Sequence, residues 1–281
     1  MIERALTALG PHGFHRLAYL EWTGPRRDAP VLLCVHGLTR NSRDFDVVAQ
    51  ALAAHYRVVC VDMPGRGKSE WLSNAADYGV PTYLADLTAL IARLDVARVD
   101  WLGTSMGGNL GMLFAALPNA PIGKLIMNDV GPLIPKTGLE RIAAYVGLDP
   151  SFPDLKAFEQ ALRWVHAPFG PLSDEQWRHM AAYSSRTKPD GSIGSNYDPK
   201  IAEAFRQGPI NDVDLWASWD AIRCPVLVLR GANSDILPKD VAIAMTQRGP
   251  RAKLIEFAGI GHAPALMAED QIAAIRDFLI G

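Results

Sequence analysis

Cysteine is scarce in this chain. There are three in 281 residues, Cys34, Cys60 and Cys224, with no C-x-x-C spacing among them. That count and spacing exclude a disulfide framework and a zinc knot, and leave the cysteines as small buried hydrophobes. Charge of one sign is missing too: 28 lysines and arginines face 30 aspartates and glutamates, a net charge of −2. No basic cluster is dense enough to follow a phosphate backbone, so nucleic acid is not an expected partner. No apolar run reaches membrane-spanning length, so no membrane partner is expected either. The opening residues "MIERALTALGPHGFH" lack the basic, apolar, small-residue order of a secretory leader, and a cytoplasmic location is the resulting expectation. Internal repeats and low-complexity segments are absent as well.

What the chain has is apolar residues, 49% of the total, enough at this length for a large buried core. Short β-rich runs alternate with helical stretches: "VLLCVHG", a helix near 42–54, "RVVCVDMPG", a helix near 81–94, "VDWLGTS", a third helix, and "IGKLIMNDVGP". This rhythm predicts an α/β fold, a doubly wound and mostly parallel sheet with helices on both faces. The alternating "FHRLAYLEW" is expected to pair antiparallel at one edge. After Pro132 the rhythm stops, and residues 133–216 read as helices with no convincing strand. It resumes at "CPVLVLRGANSD", a helix near 238–247, "AKLIEFAGIGHAP", and a closing helix to Ile280. The expected organisation is a core of residues 1–132 and 217–281, with a helical cap over 133–216.

In "WLGTSMGGNLG" a serine, Ser105, stands between Gly103 and Gly107 where a strand runs into a helix. A turn that sharp strains the backbone and exposes the hydroxyl, and it needs small neighbours. Working residues of open parallel sheets gather beyond the carboxyl ends of the strands. That rule selects Ser105, then Asp235 after "VLVLRGANS", then His262 after "KLIEFAGIG". A serine hydroxyl is a weak nucleophile until an imidazole accepts its proton. His262 is the candidate base, and Asp235 the candidate acid that fixes its tautomer.

"HGLTRNSRDF", "VDMPGRGKS", "GTSMGG", "RGANSD" and "GIGHAP", in this order, resemble the α/β-hydrolase fold family over essentially the whole length. The resemblance implies a serine hydrolase without cofactor or metal, and a cap between the sixth and seventh core strands. It also implies an oxyanion hole made by two backbone amides, those of Met106 and of Leu38, the latter following His36-Gly37. His36 itself is expected to hold its loop. Asp129 in "LIMNDVGP" ends the preceding strand, where some relatives carry the acid; Asp235 is preferred because it follows the penultimate strand, with Asp129 as a capping or anchoring residue.

Two other motifs fail. "GRGKS" would need glycine at position 62 to be a phosphate-binding loop, and that position is Asp62; "HGFH" offers His12 and His15 but no third metal ligand. Serine at the elbow argues against epoxide hydrolases and haloalkane dehalogenases, which resemble this chain but use aspartate. The expected activity is hydrolysis of a small or medium acyl ester, thioester or lactone, the small molecule being the one expected partner. The alternatives are carbon–carbon hydrolysis of a keto-dienoate, which would require a basic pocket residue such as Arg141, Arg163 or Arg186, and a non-catalytic receptor.

Overall fold

A computed structural model describes residues 1–26 and 28–281. Eight strands form the central sheet: β1 (Ile2–Gly10), β2 (Gly13–Trp22), β3 (Val31–Val35), β4 (Arg57–Val61), β5 (Val99–Thr104), β6 (Ile122–Asn128), β7 (Val226–Gly231) and β8 (Lys253–Phe257). Their spatial order is β1-β2-β4-β3-β5-β6-β7-β8. Only the β1–β2 and β2–β4 pairs are antiparallel; the rest run parallel. The expected fold class is therefore the observed one. "FHRLAYLEW" is not the edge, however: β2 is flanked on its outer side by β1, joined to it by a tight hairpin. β1 is largely exposed, so it lacks the apolar alternation that marks a half-buried strand.

The inner strands are buried on both faces because they carry branched apolar residues at successive positions, as parallel strands covered on two sides must. Leu33, Val35, Val59 and Val61 face the layer containing α2 (Val80–Leu94), α3 (Met106–Ala115), α7 (Trp216–Ala221) and α8 (Lys239–Gln247), whose apolar sides pack there. Their neighbours Leu32, Cys34, Val58 and Cys60 face α1 (Asp46–Leu52) and α9 (Glu269–Ile280). Cys34 and Cys60 are buried side by side across the β3–β4 pair, and all three cysteines are free.

Between β6 and β7 lie α4 (Lys136–Ala143), α5 (Leu155–Val165) and α6 (Asp174–Ser184). The reading of this stretch as strand-free needs correction. Leu133–Ile134 pairs with Val213–Asp214 at its base, and Ser185–Thr187 pairs with Ile193–Ser195. Runs of two or three residues are too short to show a period. Phe158, Leu162, Trp177 and Met180 form a separate apolar cluster that closes on Met267. His12 bonds Asp77, while His15 on β2 is buried against Asp86 of α2, at 3.0 Å, rather than lying in a surface turn. "GRGKS" makes a tight turn after β4, with Gly65 and Gly67 at φ 80 and 54. A Cβ on Gly67 would lie 2.4 Å from Asp62 Oδ1, the carboxylate that receives the amides of Ser42 and Lys68.

Candidate active site

Ser105 sits at φ 52, ψ −115, between the end of β5 and the first turn of α3. A side-chain-bearing residue pays for positive φ, and surrounding packing has to enforce it. The two flanking glycines allow the enforcement. A Cβ on Gly103 would lie 2.1 Å from the Gly107 carbonyl oxygen, and one on Gly107 would lie 1.9 Å from that of Val35. Trp101, fully buried on β5, donates its indole N–H to the Gly107 carbonyl at 3.0 Å and ties helix to strand.

His262, in the loop after β8, places Nε2 2.9 Å from Ser105 Oγ. Its Nδ1 lies 2.8 Å from Oδ2 of Asp129, not of Asp235. Asp129 directly follows β6, is wholly buried, and has φ 58. Its Oδ1 accepts the Gly231 amide at 2.7 Å, and its Oδ2 also accepts the Ser234 hydroxyl at 2.6 Å. Three donors thus converge on one buried carboxylate. Asp235, the acid preferred from sequence, is elsewhere: half-exposed, it grips Arg141 of α4 through both carboxylate oxygens. The reason is local. The turn after β7 directs the Ser234 hydroxyl back toward Asp129 and sends the next side chain outward to α4.

The sequence did not single out Ser234, Gly231 or Asn128. Asn128 donates to Thr104 Oγ1 at 3.1 Å and to the Pro264 carbonyl at 2.9 Å, binding the histidine loop to the elbow strand. A Cβ on Gly231 would sit 2.3 Å from the Gly261 carbonyl, so this close approach needs glycine. His36 is fully buried; its Nε2 accepts the Met63 amide at 2.9 Å and its Nδ1 donates to the Gly37 carbonyl at 2.7 Å. Burial, foremost, holds its pKa down to about 3, so it is a neutral brace for the loop.

A cavity of about 340 Å³ opens on Ser105, walled by Leu38, Met106, Leu113, Ile142, Phe205 and other apolar side chains. Among the described residues, neither the Leu38 nor the Met106 amide donates to a backbone carbonyl. A second cavity of about 130 Å³, beside α5, is lined in part by His166 and Tyr197. Desolvation, with Arg40, His262 and Arg141 nearby, keeps His166 well below the usual histidine range. Trp177 is buried in the cluster with Phe158 and Leu162, and Trp164 is exposed. Arg163 and Arg186 pair with Glu159 and Asp149 respectively. No group of three or more metal-ligating side chains occurs among the described residues.

Residues 32–275 match the model of the alpha/beta hydrolase family. The chain is 46% identical, over 97% of its length and 96% of the relative's, to a 3-hydroxybutyrate-oligomer hydrolase from Cupriavidus necator. It is 27% identical, over 76% of its length and 75% of the relative's, to a 2-hydroxy-6-oxo-2,4-heptadienoate hydrolase from Pseudomonas putida. Among solved structures, an alpha/beta hydrolase from Novosphingobium aromaticivorans superposes with a TM-score of 0.89 at 39% identity, covering 99% of this chain and 97% of the other.

Proposed function

The chain belongs to the alpha/beta hydrolase family, and from that premise we propose that it is a serine hydrolase of short hydroxyalkanoate esters, working through an acyl-enzyme on Ser105. One observation carries the chemistry: an unbroken relay from buried Asp129 through His262 to Ser105 Oγ, each link under 3 Å, opening on an apolar cavity. Ser105 Oγ attacks the ester carbonyl while its proton passes to His262 Nε2. Asp129, fed by the Gly231 amide and the Ser234 hydroxyl, orients the imidazole and balances the imidazolium. The carbonyl oxygen takes up negative charge opposite the Leu38 and Met106 amides, the second of these at a helix N-terminus. His262 then protonates the leaving alcohol. A water molecule, activated by the same imidazole, releases the acid and restores the serine.

The substrate class rests on two supports. The 46% identical relative is a hydrolase of 3-hydroxybutyrate oligomers, and the cavity walls suit small branched aliphatic units. The three arginines that carbon–carbon cleavage would call on, Arg141, Arg163 and Arg186, are each already paired with a carboxylate. The helical segment 133–216 acts as the cap that limits substrate size. Rates on the 3-hydroxybutyrate dimer and trimer, measured beside p-nitrophenyl butyrate, p-nitrophenyl palmitate and a ring-fission dienoate, test the reading. The dimer, the trimer and the butyrate are expected to turn over at least tenfold faster than the palmitate. Faster cleavage of the dienoate than of any ester would overturn it.

A further inference from the structure

Arg66, in the turn after β4, is fully buried, yet among the described residues no carboxylate lies within ion-pair distance of its guanidinium. A buried charge ordinarily has a counter-charge, because removing an ion from water is costly. All the oxygens it meets are neutral: the Leu38 carbonyl at 2.8 Å from Nε, and the Pro64 carbonyl and Tyr83 hydroxyl, each 2.7 Å from Nη1. Nη2 lies 3.9 Å from the sulfur of Met106, and the rings of Tyr78 and Tyr83 stand 5.8 and 5.3 Å away. The buried carboxylate on this side, Asp198, is taken by the Tyr78 hydroxyl at 2.6 Å. The unbalanced cation therefore touches Leu38 and Met106, two residues that line the cavity beside Ser105.

Resting on the acyl-enzyme reading above, we propose that Arg66 is a positioning residue for the oxyanion: it holds Leu38 by its carbonyl, and the negative charge that develops on the substrate oxygen is its missing counter-charge. In the ground state that carbonyl is neutral, so the field of Arg66 acts on the transition state selectively. A structural brace would need the hydrogen bonds but not the charge.

Phenylboronic acid separates the possibilities, since its adduct with Ser105 is tetrahedral and anionic. Wild-type protein should bind it and Ser105→Ala should not; failure of that control would sink the acyl-enzyme reading rather than the role of Arg66. Given the control, Arg66→Gln, which keeps amide donors but removes the charge, should weaken boronate binding and lower kcat by about 50-fold each, with KM changed less than about twofold. Arg66→Lys, which keeps the charge, should stay within about fivefold of wild type in both. If Arg66→Gln does not fold, Arg66→Lys decides alone. A folded Lys variant about 50-fold weaker toward boronate, or a Gln variant that binds it as wild type does, overturns the proposal.

Discussion

Ser105 is the proposed nucleophile and Asp129 the proposed acid, joined through His262. Ser105 announces itself because its geometry demands small neighbours on both sides, and glycine is visible in a sequence. The acid does not: position after the penultimate strand favours Asp235, and only the directions of the Ser234 hydroxyl and the Gly231 amide turn the choice to Asp129. The signal that distinguishes them is proximity: Asp129 directly follows β6, whereas Asp235 lies four residues beyond β7. Replacing Asp129 by asparagine should lower kcat by about 10³- to 10⁴-fold, since an amide favours the wrong imidazole tautomer. Replacing Asp235 by asparagine should change kcat less than about fivefold. Steady-state rates of the two purified variants check both statements; the reverse order would restore Asp235 as the acid.

At the level of elements, two cross-connections behave differently because one is dry and the other wet. The Arg141–Asp235 pair joins α4 to the turn after β7 with both side chains over two-fifths exposed, so its loss should cost no more than about 1 kcal/mol. His15 and Asp86 couple β2 to α2 with both side chains nearly inaccessible. Burial, foremost, raises the Asp86 carboxyl, against the lowering influence of His15. Asp86→Ala leaves the imidazole in an apolar slot without its partner, and should destabilise the protein by about 2–4 kcal/mol in urea titration. A shift below 1 kcal/mol would mean that the slot admits water. Neither connection was legible beforehand. The helix and strand were, but which polar residue on each would face the other depends on how α2 lies across the sheet. The hairpin strand β1 escaped for a related reason: its exposed faces give it no apolar alternation to read.

Across the whole molecule, the layering follows from apolar strands that must be covered on both sides, and this was the most readable feature of the sequence. At the same scale, burial makes His36 and His166 resist protonation in the fold. His36 protonates near 3 in the fold and near 6.5 when unfolded, so between those values the unfolded chain carries a proton that the folded chain does not. Stability therefore falls as pH drops from about 6.5 toward 3, and His166 acts in the same direction. Asp62 and Asp86, raised by burial, act in the opposite direction by favouring the protonated fold in acid. The contribution of His36 is isolated by comparing urea midpoints at pH 7.5 and 5. The wild type should lose more than His36→Asn does, although the variant is less stable at both; equal losses would show that His36 is not the group responsible.

In the proposed relay one serine, activated through His262 by Asp129, performs the hydrolysis. It is tested most directly by the turnover of Ser105→Ala on the 3-hydroxybutyrate dimer, with thermal unfolding followed on the same preparation. A loss of at least about 10³-fold in kcat with an unchanged Tm is expected, because the hydroxyl is the only part of Ser105 that enters the chemistry. A folded variant that retains kcat within about tenfold of wild type would contradict it.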